Sequence, residues 1–408
     1  MKKVLVLGND SRIFLSVVRS LGRAGIQVHG AWQQPETICL RSRYLFKAHT
    51  LPPFHSGNHD WRDAVAALME QEHFDLVLPC TDAETVACQH HRAELEKLGR
   101  VYLISEKAYR LLFDKLQSTA LARDVGVTTA RELVVTSVEQ SREILDSFDF
   151  PVVLKPQRSS DLDCPGAFHK VSKAYDAEQL GHLLPPMLAV GPVAVQENFI
   201  GRGVGVELLL QRGEVLLAFQ HVRIHEPLQG GPGSYRKSVP LSPQLLEAAL
   251  KLLRPLDYTG VAMVEFKVNP QTGAWIFIEV NARFWGSLPL TVAAGANFPL
   301  ALFQFLVEGR TRFPRHYRQG IYCRNLSRDF EWQQLNFFAD HADATLSTRP
   351  VARVLRDAVV NSLTFRERND TLTLDDPLPG LTEILEVAQR LGGRATRPLR
   401  SLMRAVSR

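Results

Sequence analysis

Two apolar stretches that each carry one glutamate constrain this 408-residue chain most strongly. They flank the turn NPQTG (residues 269–273) within the segment VAMVEFKVNPQTGAWIFIEVNARFWG, which predicts a β-hairpin. Side chains two residues apart share one face of a strand, so Glu279, Asn281 and Arg283 are expected to point the same way. Glu265 is expected to be a cross-strand neighbour of Glu279, directly or diagonally.

Carboxylates at Glu265 and Glu279 would repel each other and would be costly to bury in an apolar sheet. A divalent cation removes that cost. Oxygen ligands from two carboxylates and an amide suit Mg²⁺, usually with nucleotide phosphates completing its coordination shell. The hairpin alone leaves the alternative open that both glutamates face solvent.

Length and composition indicate an ordinary globular protein with two or three domains. No apolar run is long enough to span a bilayer, and the start, MKKVLVLGND, is interpreted as a strand and not a signal peptide. The five cysteines form no CxxC pair, which predicts reduced thiols in a cytoplasmic protein. Much of the net charge of +5 lies in the last twenty residues, so it does not indicate nucleic-acid binding.

The first hundred residues show a βαβ pattern, with strands predicted at 2–7, 26–31, 75–79 and 101–104 and a helix at 12–24. This pattern predicts a parallel sheet covered by helices. The first turn lacks GxGxxG, so a nicotinamide-dependent dehydrogenase has no phosphate-binding loop to support it. Residues 80–84 (CTDAE) predict a strand end that leads into an N-capped helix, at the edge where open α/β sheets bind ligands.

Further along, residues 109–126 predict a helix with Lys115 near its start, and Lys155 ends an apolar strand. Residues 157–166 form a loop of small residues that could offer N–H groups and hydroxyls to phosphate, although it is poor in glycine. No GxxxxGK[ST] motif occurs. The glycines at positions 201, 203 and 205 lie between two predicted strands and are interpreted as a tight connection.

The last hundred residues are less regular. Residues 352–360 and 381–391 predict helices, and residues 371–374 give only a hint of a strand. The end of the chain, residues 390–408, holds six arginines and no acidic residue. A partly disordered tail and a basic amphipathic helix for a membrane surface or an acidic partner are the two alternatives.

Four segments arrive in an order that resembles the ATP-grasp superfamily, particularly ligases similar to carbamoyl-phosphate synthase and D-aspartate ligase. They are LLFDKLQSTALARDVGV (111–127), PVVLKP (151–156), VAVQENFIG (193–201) and VEFKVN…FIEVNARFWGS (264–287). The resemblance covers about residues 1–310. It implies an α/β and α+β protein: a parallel α/β domain (1–110), the two ATP-grasp subdomains (111–195 and 196–310) and a mainly helical C-terminal region (311–408).

The resemblance also implies how ATP is held. Lys115 and Lys155 would bind the α- and β-phosphates, and residues 157–166 would form a mobile lid. Gln196, Glu197 and the backbone of Phe199 would meet the adenine edge.

At the metal end, the resemblance implies that Glu265, Glu279 and Asn281 ligate Mg²⁺ or Mn²⁺. Arg283 would stabilise the γ-phosphoryl group during transfer and, with Lys155, would be catalytic. Glu207 is the candidate for the ribose contact. These roles agree with the need of phosphoryl transfer for positioned cations.

The function that follows is an ATP-dependent ligase, which joins a small-molecule carboxylate to an amine through an acyl phosphate. Arg223, Arg236 and Lys237 are candidates for holding the substrate carboxylate. The alternatives are a carbamoyl-phosphate-synthase-like enzyme that phosphorylates another class of carboxylate, and a nucleotide-binding regulator without turnover. The oligomeric state stays open, with a homodimer as the expectation.

Overall fold

The computed structural model describes residues 1–8, 11–33, 38–158, 171–228, 231–341, 346, 348–364 and 366–389. Within these residues the chain forms three sheets, one parallel and two largely or wholly antiparallel. The expectation of a mixed α/β protein is therefore confirmed at this level.

The first sheet is parallel and has the strand order β3-β2-β1-β4. Its strands are β1 (Lys3–Leu7), β2 (Gln27–Trp32), β3 (Leu45–Thr50) and β4 (Leu76–Pro79). Its helices are α1 (Ser11–Arg23), α2 (Asp60–Glu72), α3 (Asp82–His90), α4 (Arg92–Leu98) and α5 (Glu106–Leu112). The strand predicted at 101–104 is wrong: a single bridge joins Val101 to Val77, and Ser105 already caps α5.

The second sheet is antiparallel and has the order β5-β8-β6-β7. Its strands are β5 (Glu132–Val135), β6 (Val152–Pro156), β7 (Ser172–Ala174) and β8 (Val193–Glu197). Its helices are α6 (Lys115–Asp124), α7 (Ser141–Ser147) and α8 (Ala177–Leu188). The Asp114 side chain caps α6 by accepting hydrogen bonds from the N–H groups of Leu116 and Gln117, which fixes Lys115 as the first helical residue.

The third sheet has the order β13-β12-β9-β10-β11-β14-β15 and is antiparallel except for the parallel pair β14–β15. Its strands are β9 (Arg202–Gln211), β10 (Glu214–His225), β11 (Tyr235–Ser238), β12 (Gly260–Val268), β13 (Trp275–Asn281), β14 (Tyr322–Arg324) and β15 (Glu367–Asn369). Its helices are α9 (Pro243–Leu253), α10 (Leu288–Ala294), α11 (Phe298–Glu308), α12 (Leu326–Phe338) and α13 (Val351–Leu363).

The predicted hairpin is confirmed as β12 and β13. Glu265 and Glu279 are direct partners in the register of the two strands, so both side chains project from the same face. The residues just after β13 are firmly anchored, because Phe284 and Trp285 are fully buried and the Trp285 ring packs edge-to-face on Phe298. The apolar positions of the hairpin thus fix where its glutamates lie.

Two of the glycines predicted to form a tight connection lie instead within β9. A Cβ atom on Gly205 would come within 2.4 Å of the His221 ring, and one on Gly203 within 2.3 Å of a Glu226 oxygen. Glycine is therefore required here because side chains from β10 and the loop after it lie across β9.

The C-terminal region differs from its prediction. Residues 371–374 form no strand, whereas β14, β15 and α12 had no sequence prediction, and a helix covers residues 378–389. Since β14 and β15 extend the third sheet, that sheet continues across the boundary predicted at residue 310. The Arg-rich tail, 390–408, lies outside the described residues.

One segment of this region also reaches back to the first sheet. Asp376 accepts hydrogen bonds from Arg19 on α1, from the Ser42 hydroxyl and from the Arg43 N–H. Asp375 pairs with Arg23 on the same helix. Residues 367–376 therefore join the first and third sheets.

No single helix among the described residues is long and apolar enough to cross a membrane. Among these residues, only α10 and α11 together, with a bend of 84° between them, reach the length and apolar composition of a membrane span.

Candidate functional site

The centre of the site is the pair of glutamates on β12 and β13. The Asn281 side-chain nitrogen lies 3.2 Å from Glu265 Oε1 and 3.3 Å from Glu279 Oε1. The three side chains predicted to ligate a metal are therefore brought together.

The charges around this trio differ from one glutamate to the other. Burial acts to raise the pKa of Glu279, but the nearby charges of Lys115 and Lys155 outweigh it and lower the pKa to about 2. Burial raises the pKa of Glu265, and the charge of Arg223 only partly opposes this shift. One buried carboxylate, one half-buried carboxylate and an amide fit a hard divalent cation, since such an ion would favour the ionised form of both glutamates.

The two predicted phosphate-binding lysines come from different elements and face the same glutamate. Lys115 Nζ at the start of α6 lies 3.4 Å from Glu279 Oε2. Lys155 on β6 is 8% exposed, and burial followed by the charge of Lys115 lowers its pKa to about 8. A buried lysine with a lowered pKa is stabilised by an anionic ligand, because a phosphate would favour its protonated form.

Nucleotide affinity is accordingly expected to fall as the pH rises from 7 to 9. The buried lysine loses its proton near pH 8, and a bound polyphosphate restores it, so binding should take up a proton above that pH. The limit is about tenfold in affinity per pH unit for one linked proton. Calorimetry with Mg²⁺ and a non-hydrolysable ATP analogue, in buffers of different ionisation enthalpy, measures this uptake.

The matched control is Lys155→Arg, because arginine stays protonated throughout this range. Proton uptake that persists unchanged in Lys155→Arg would show that another group is responsible.

Arg283, the residue expected to stabilise the γ-phosphoryl group, lies beside the same trio but contacts a residue of the first sheet. Its Nε and Nη2 atoms donate to the two oxygens of Asp82, at 2.9 and 2.7 Å. Asp82 is the first residue of α3 and follows β4 after Cys80 and Thr81. The sequence pattern predicts Asp82 at a ligand-binding sheet edge but indicates no role for it.

The residues predicted to meet adenine lie where β8 leaves the second sheet. The Gln196 side chain donates to Glu132 Oε2 at 2.5 Å, and the Glu197 carboxylate accepts from the Arg131 N–H at 3.0 Å. The carbonyl of Phe199 accepts from Lys267 Nζ. These contacts fix the side chains within the protein, so the adenine role of this segment stays a prediction.

Glu207 does not fit its predicted role. It is fully buried on β9, with Glu207 Oε1 2.5 Å from His221 Nδ1 and 3.1 Å from the Ser287 hydroxyl. Burial raises its pKa well above the usual value, which favours the neutral acid. A ribose contact by Glu207 does not agree with this burial. The burial could not be predicted from the strand's own sequence, because the residues that enclose Glu207 lie on other elements.

Of the three candidates for substrate binding, Arg223 and Arg236 are direct partners in the register of β10 and β11 and share one face, whereas Lys237 lies on the other. Arg223 Nη2 lies 2.5 Å from Glu265 Oε2, beside the metal trio. Arg236 is 2% exposed and forms an ion pair with Asp370, 134 residues further on. Lys237 follows Arg236 on β11, so it projects from the opposite face of the sheet, towards the Tyr322 ring. The three side chains therefore do not all face one carboxylate, because Lys237 projects from the other face and Arg236 is already paired with Asp370.

A cavity of about 330 Å³ opens beside the trio. Its wall is shared by α3, α5, α6 and the end of β13. The polar residues that line it are Asp82, Tyr109, Arg110, Lys115, Gln117, Ser118, Arg158, Glu279 and Asn281. The predicted lid, 157–166, lies outside the described residues except for its first two positions.

Comparison with known proteins bears on this arrangement. Residues 241–309, which include the hairpin, match the family model "Carbamoyl-phosphate synthase L chain, ATP binding domain". The carbamoyl phosphate synthase large chain of Deinococcus radiodurans is 26% identical over 255 residues, which cover 58% of this chain and 24% of the relative. The chain spans about a quarter of the length of such curated relatives.

Two solved structures share the fold. N5-carboxyaminoimidazole synthetase from Staphylococcus aureus, complexed with ADP, has a TM-score of 0.65 at 14% identity and covers 88% of this chain and 96% of its own. L-amino acid ligase from Bacillus licheniformis has a TM-score of 0.57 at 16% identity and covers 76% of this chain and 77% of its own.

The family model, the relatives and the fold all agree with the predicted resemblance to the ATP-grasp superfamily. Within that superfamily, the sequence matches are to carbamoyl phosphate synthase large chains.

Proposed function

We propose that this protein is an ATP-dependent ligase that activates a small-molecule carboxylate as an acyl phosphate and joins it to an amine. The observation that carries the proposal is the convergence of two lysines, two glutamates, an asparagine and an arginine, of which Lys115, Glu279 and Asn281 line the cavity. The two structural neighbours support it, since one is an ADP complex and the other an L-amino acid ligase.

In the proposed reaction, a carboxylate oxygen of the substrate bonds to the γ-phosphorus of ATP, and ADP leaves. The amine nitrogen then bonds to the acyl carbon, inorganic phosphate leaves, and the amine loses a proton. Lys115 and Lys155 offset the phosphate charges, and Arg283 stabilises the negative charge on the transferring group.

Glu265, Glu279 and Asn281 would hold the metal. Bound Mg²⁺ would supply neutralising charge at the phosphates. The protein's own contribution is to hold three oxygen ligands on two paired strands, whose register is fixed by the apolar residues between them.

The substrate carboxylate and amine are proposed to enter the cavity beside Asn281. Arg158 lines this cavity and supplies positive charge for a carboxylate, whereas Arg236 is already paired. We also propose that the division into domains follows the sequence boundaries, except that β14 and β15 belong with the third sheet.

Release of ADP and phosphate tests this function. Mg²⁺-ATP is incubated with pairs of amino acids and with single carboxylic acids, and products are measured by a coupled assay. We expect release that depends on both a carboxylate and an amine. Release with a carboxylate alone would favour a phosphorylating enzyme of the carbamoyl-phosphate synthase kind.

Absence of ADP and phosphate with every carboxylate, while a non-hydrolysable ATP analogue still binds, would contradict the ligase and favour a nucleotide-binding regulator. Nucleotide binding is therefore measured on the same preparation, so that loss of folding is not mistaken for loss of turnover.

A further inference from the structure

Asp82 makes the closest contact of the arginine expected to act in phosphoryl transfer. We propose that Asp82 is a positioning residue, which orients Arg283 towards the transferring phosphoryl group and keeps it away from the metal-binding glutamates. The expected effect of Asp82 on turnover rests on the function proposed above. The expected effect of Asp82 on metal binding can be measured without turnover.

The geometry shows how Asp82 orients the guanidinium. Arginine has five N–H donors in a planar fork. Three of them are used within the described part of the chain: Nε and Nη2 donate to Asp82, and Nη1 donates to the Phe284 carbonyl at 2.8 Å. The planar bidentate pair fixes the direction of the fork. Two N–H groups remain for phosphoryl oxygens.

The surrounding charges show why Arg283 needs such a partner. After burial, the charge of Asp82 has the largest effect on the pKa of Arg283, and those of Glu279 and Glu265 also raise it. If Asp82 were removed, the remaining attraction would draw the guanidinium towards Glu279 and Glu265. A cation bound to these glutamates would then face competition from Arg283 for the same oxygens.

Asp82 itself is held firmly. It occupies the first turn of α3, where the helix dipole favours a negative side chain. The seven residues that follow it, positions 83–89, are buried. The carboxylate therefore projects from a fixed edge of the first sheet, and it reaches Arg283 across 201 residues of sequence.

The experiment measures Mn²⁺ affinity by electron paramagnetic resonance, in the presence of a saturating non-hydrolysable ATP analogue. Asp82→Ala is expected to weaken Mn²⁺ binding at least fivefold. The double variant Asp82→Ala with Arg283→Ala is expected to bind Mn²⁺ as tightly as Arg283→Ala alone, because the competing guanidinium is gone. If Asp82 served only the stability of the fold, removing Arg283 would not restore Mn²⁺ affinity in the double variant.

Turnover provides the second readout. Both Asp82→Ala and Asp82→Asn are expected to lower kcat for ADP release at least tenfold and to leave the Kd of the ATP analogue within about threefold. Asp82→Glu, which keeps the charge, should recover part of the loss. Asp75→Asn is the matched control: its carboxylate pairs with Lys2 at the opposite end of the strands, before β4 begins, and no change in kcat is expected.

Unchanged Mn²⁺ affinity in Asp82→Ala, or a weakening that the double variant does not reverse, would overturn the proposal. If Asp82→Ala does not fold, as judged by circular dichroism, Asp82→Asn replaces it in both measurements. If the wild-type protein releases no ADP with any substrate, the proposed function fails, whereas the Mn²⁺ measurement still decides the role of Asp82.

Discussion

Replacing Glu279 with glutamine is expected to lower the rate of ADP release by roughly 10²–10³-fold. The substitution keeps the shape of the side chain but removes the charge that faces Lys115 at 3.4 Å and the predicted metal. It also removes the carboxylate whose pKa the surrounding cations hold lowest at the site, at about 2. A coupled assay of ADP, run over a range of Mg²⁺ concentrations, measures the effect.

The loss should be only partly reversed by high Mg²⁺, because one ligand is missing while Glu265 and Asn281 remain. Glu72→Gln is the control, since Glu72 pairs with Lys3 and Lys47 on the first sheet. A rate for Glu279→Gln within threefold of the wild type would show that Glu279 is not a metal ligand in turnover.

The largest expected effect on stability comes from Asp376→Ala. Asp376 and its partner Arg19 are 2% and 3% exposed, so the substitution leaves a buried guanidinium without its carboxylate. The hydrogen bonds from Ser42 and Arg43 to the same carboxylate are lost as well. Removing one member of a buried pair costs about 3–5 kcal/mol, which chemical denaturation measures as a change in the free energy of unfolding.

Asp375→Ala is the matched control. Its carboxylate is 43% exposed and pairs with Arg23 at the surface, so a loss of about 1 kcal/mol or less is expected. Equal losses for the two variants would mean that the burial of Asp376 contributes nothing extra.

Low pH should weaken the ion pair between Arg19 and Asp376. Burial acts to raise the pKa of Asp376, but its hydrogen bonds with Ser42, Arg43 and Arg19 outweigh it, and the pKa lies below the usual value. The stabilisation is therefore fully present above the pKa of an unfolded aspartate, about 3.9, and is lost as the pH falls through the lower pKa of the folded protein.

The hairpin and the lysines could be predicted from sequence because their signals are local. Alternating apolar residues set which face Glu265 and Glu279 share, and the turn sets the strand pairing. The sequence predicts a helix over residues 109–126, and the structure divides it into α5 and α6, with the Asp114 cap starting α6 at Lys115. Each of these patterns is contained within a short stretch of chain.

The errors concern polar side chains whose partners are distant in sequence. In the sequence, Arg236 has no evident partner. The structure pairs it with Asp370, which lies 134 residues later. In the sequence, Asp82 is an ordinary residue at a helix start. Its ion pair with Arg283, which follows β13, is evident only in the structure. Glu207 is a candidate only through the family resemblance, and its neighbours on β10 and after β13 enclose it. Composition and periodicity carry no information about such pairings.

The segment at residues 367–376 has a practical consequence for anyone who trims this protein to the part that resembles its relatives. A chain ending at residue 310 would contain every residue assigned here to ATP, metal and phosphoryl transfer. It would nevertheless keep Arg19 and Arg236 as buried cations whose carboxylates, Asp376 and Asp370, had been cut away. The minimal unit that folds is therefore expected to be longer than the minimal unit that carries the chemistry.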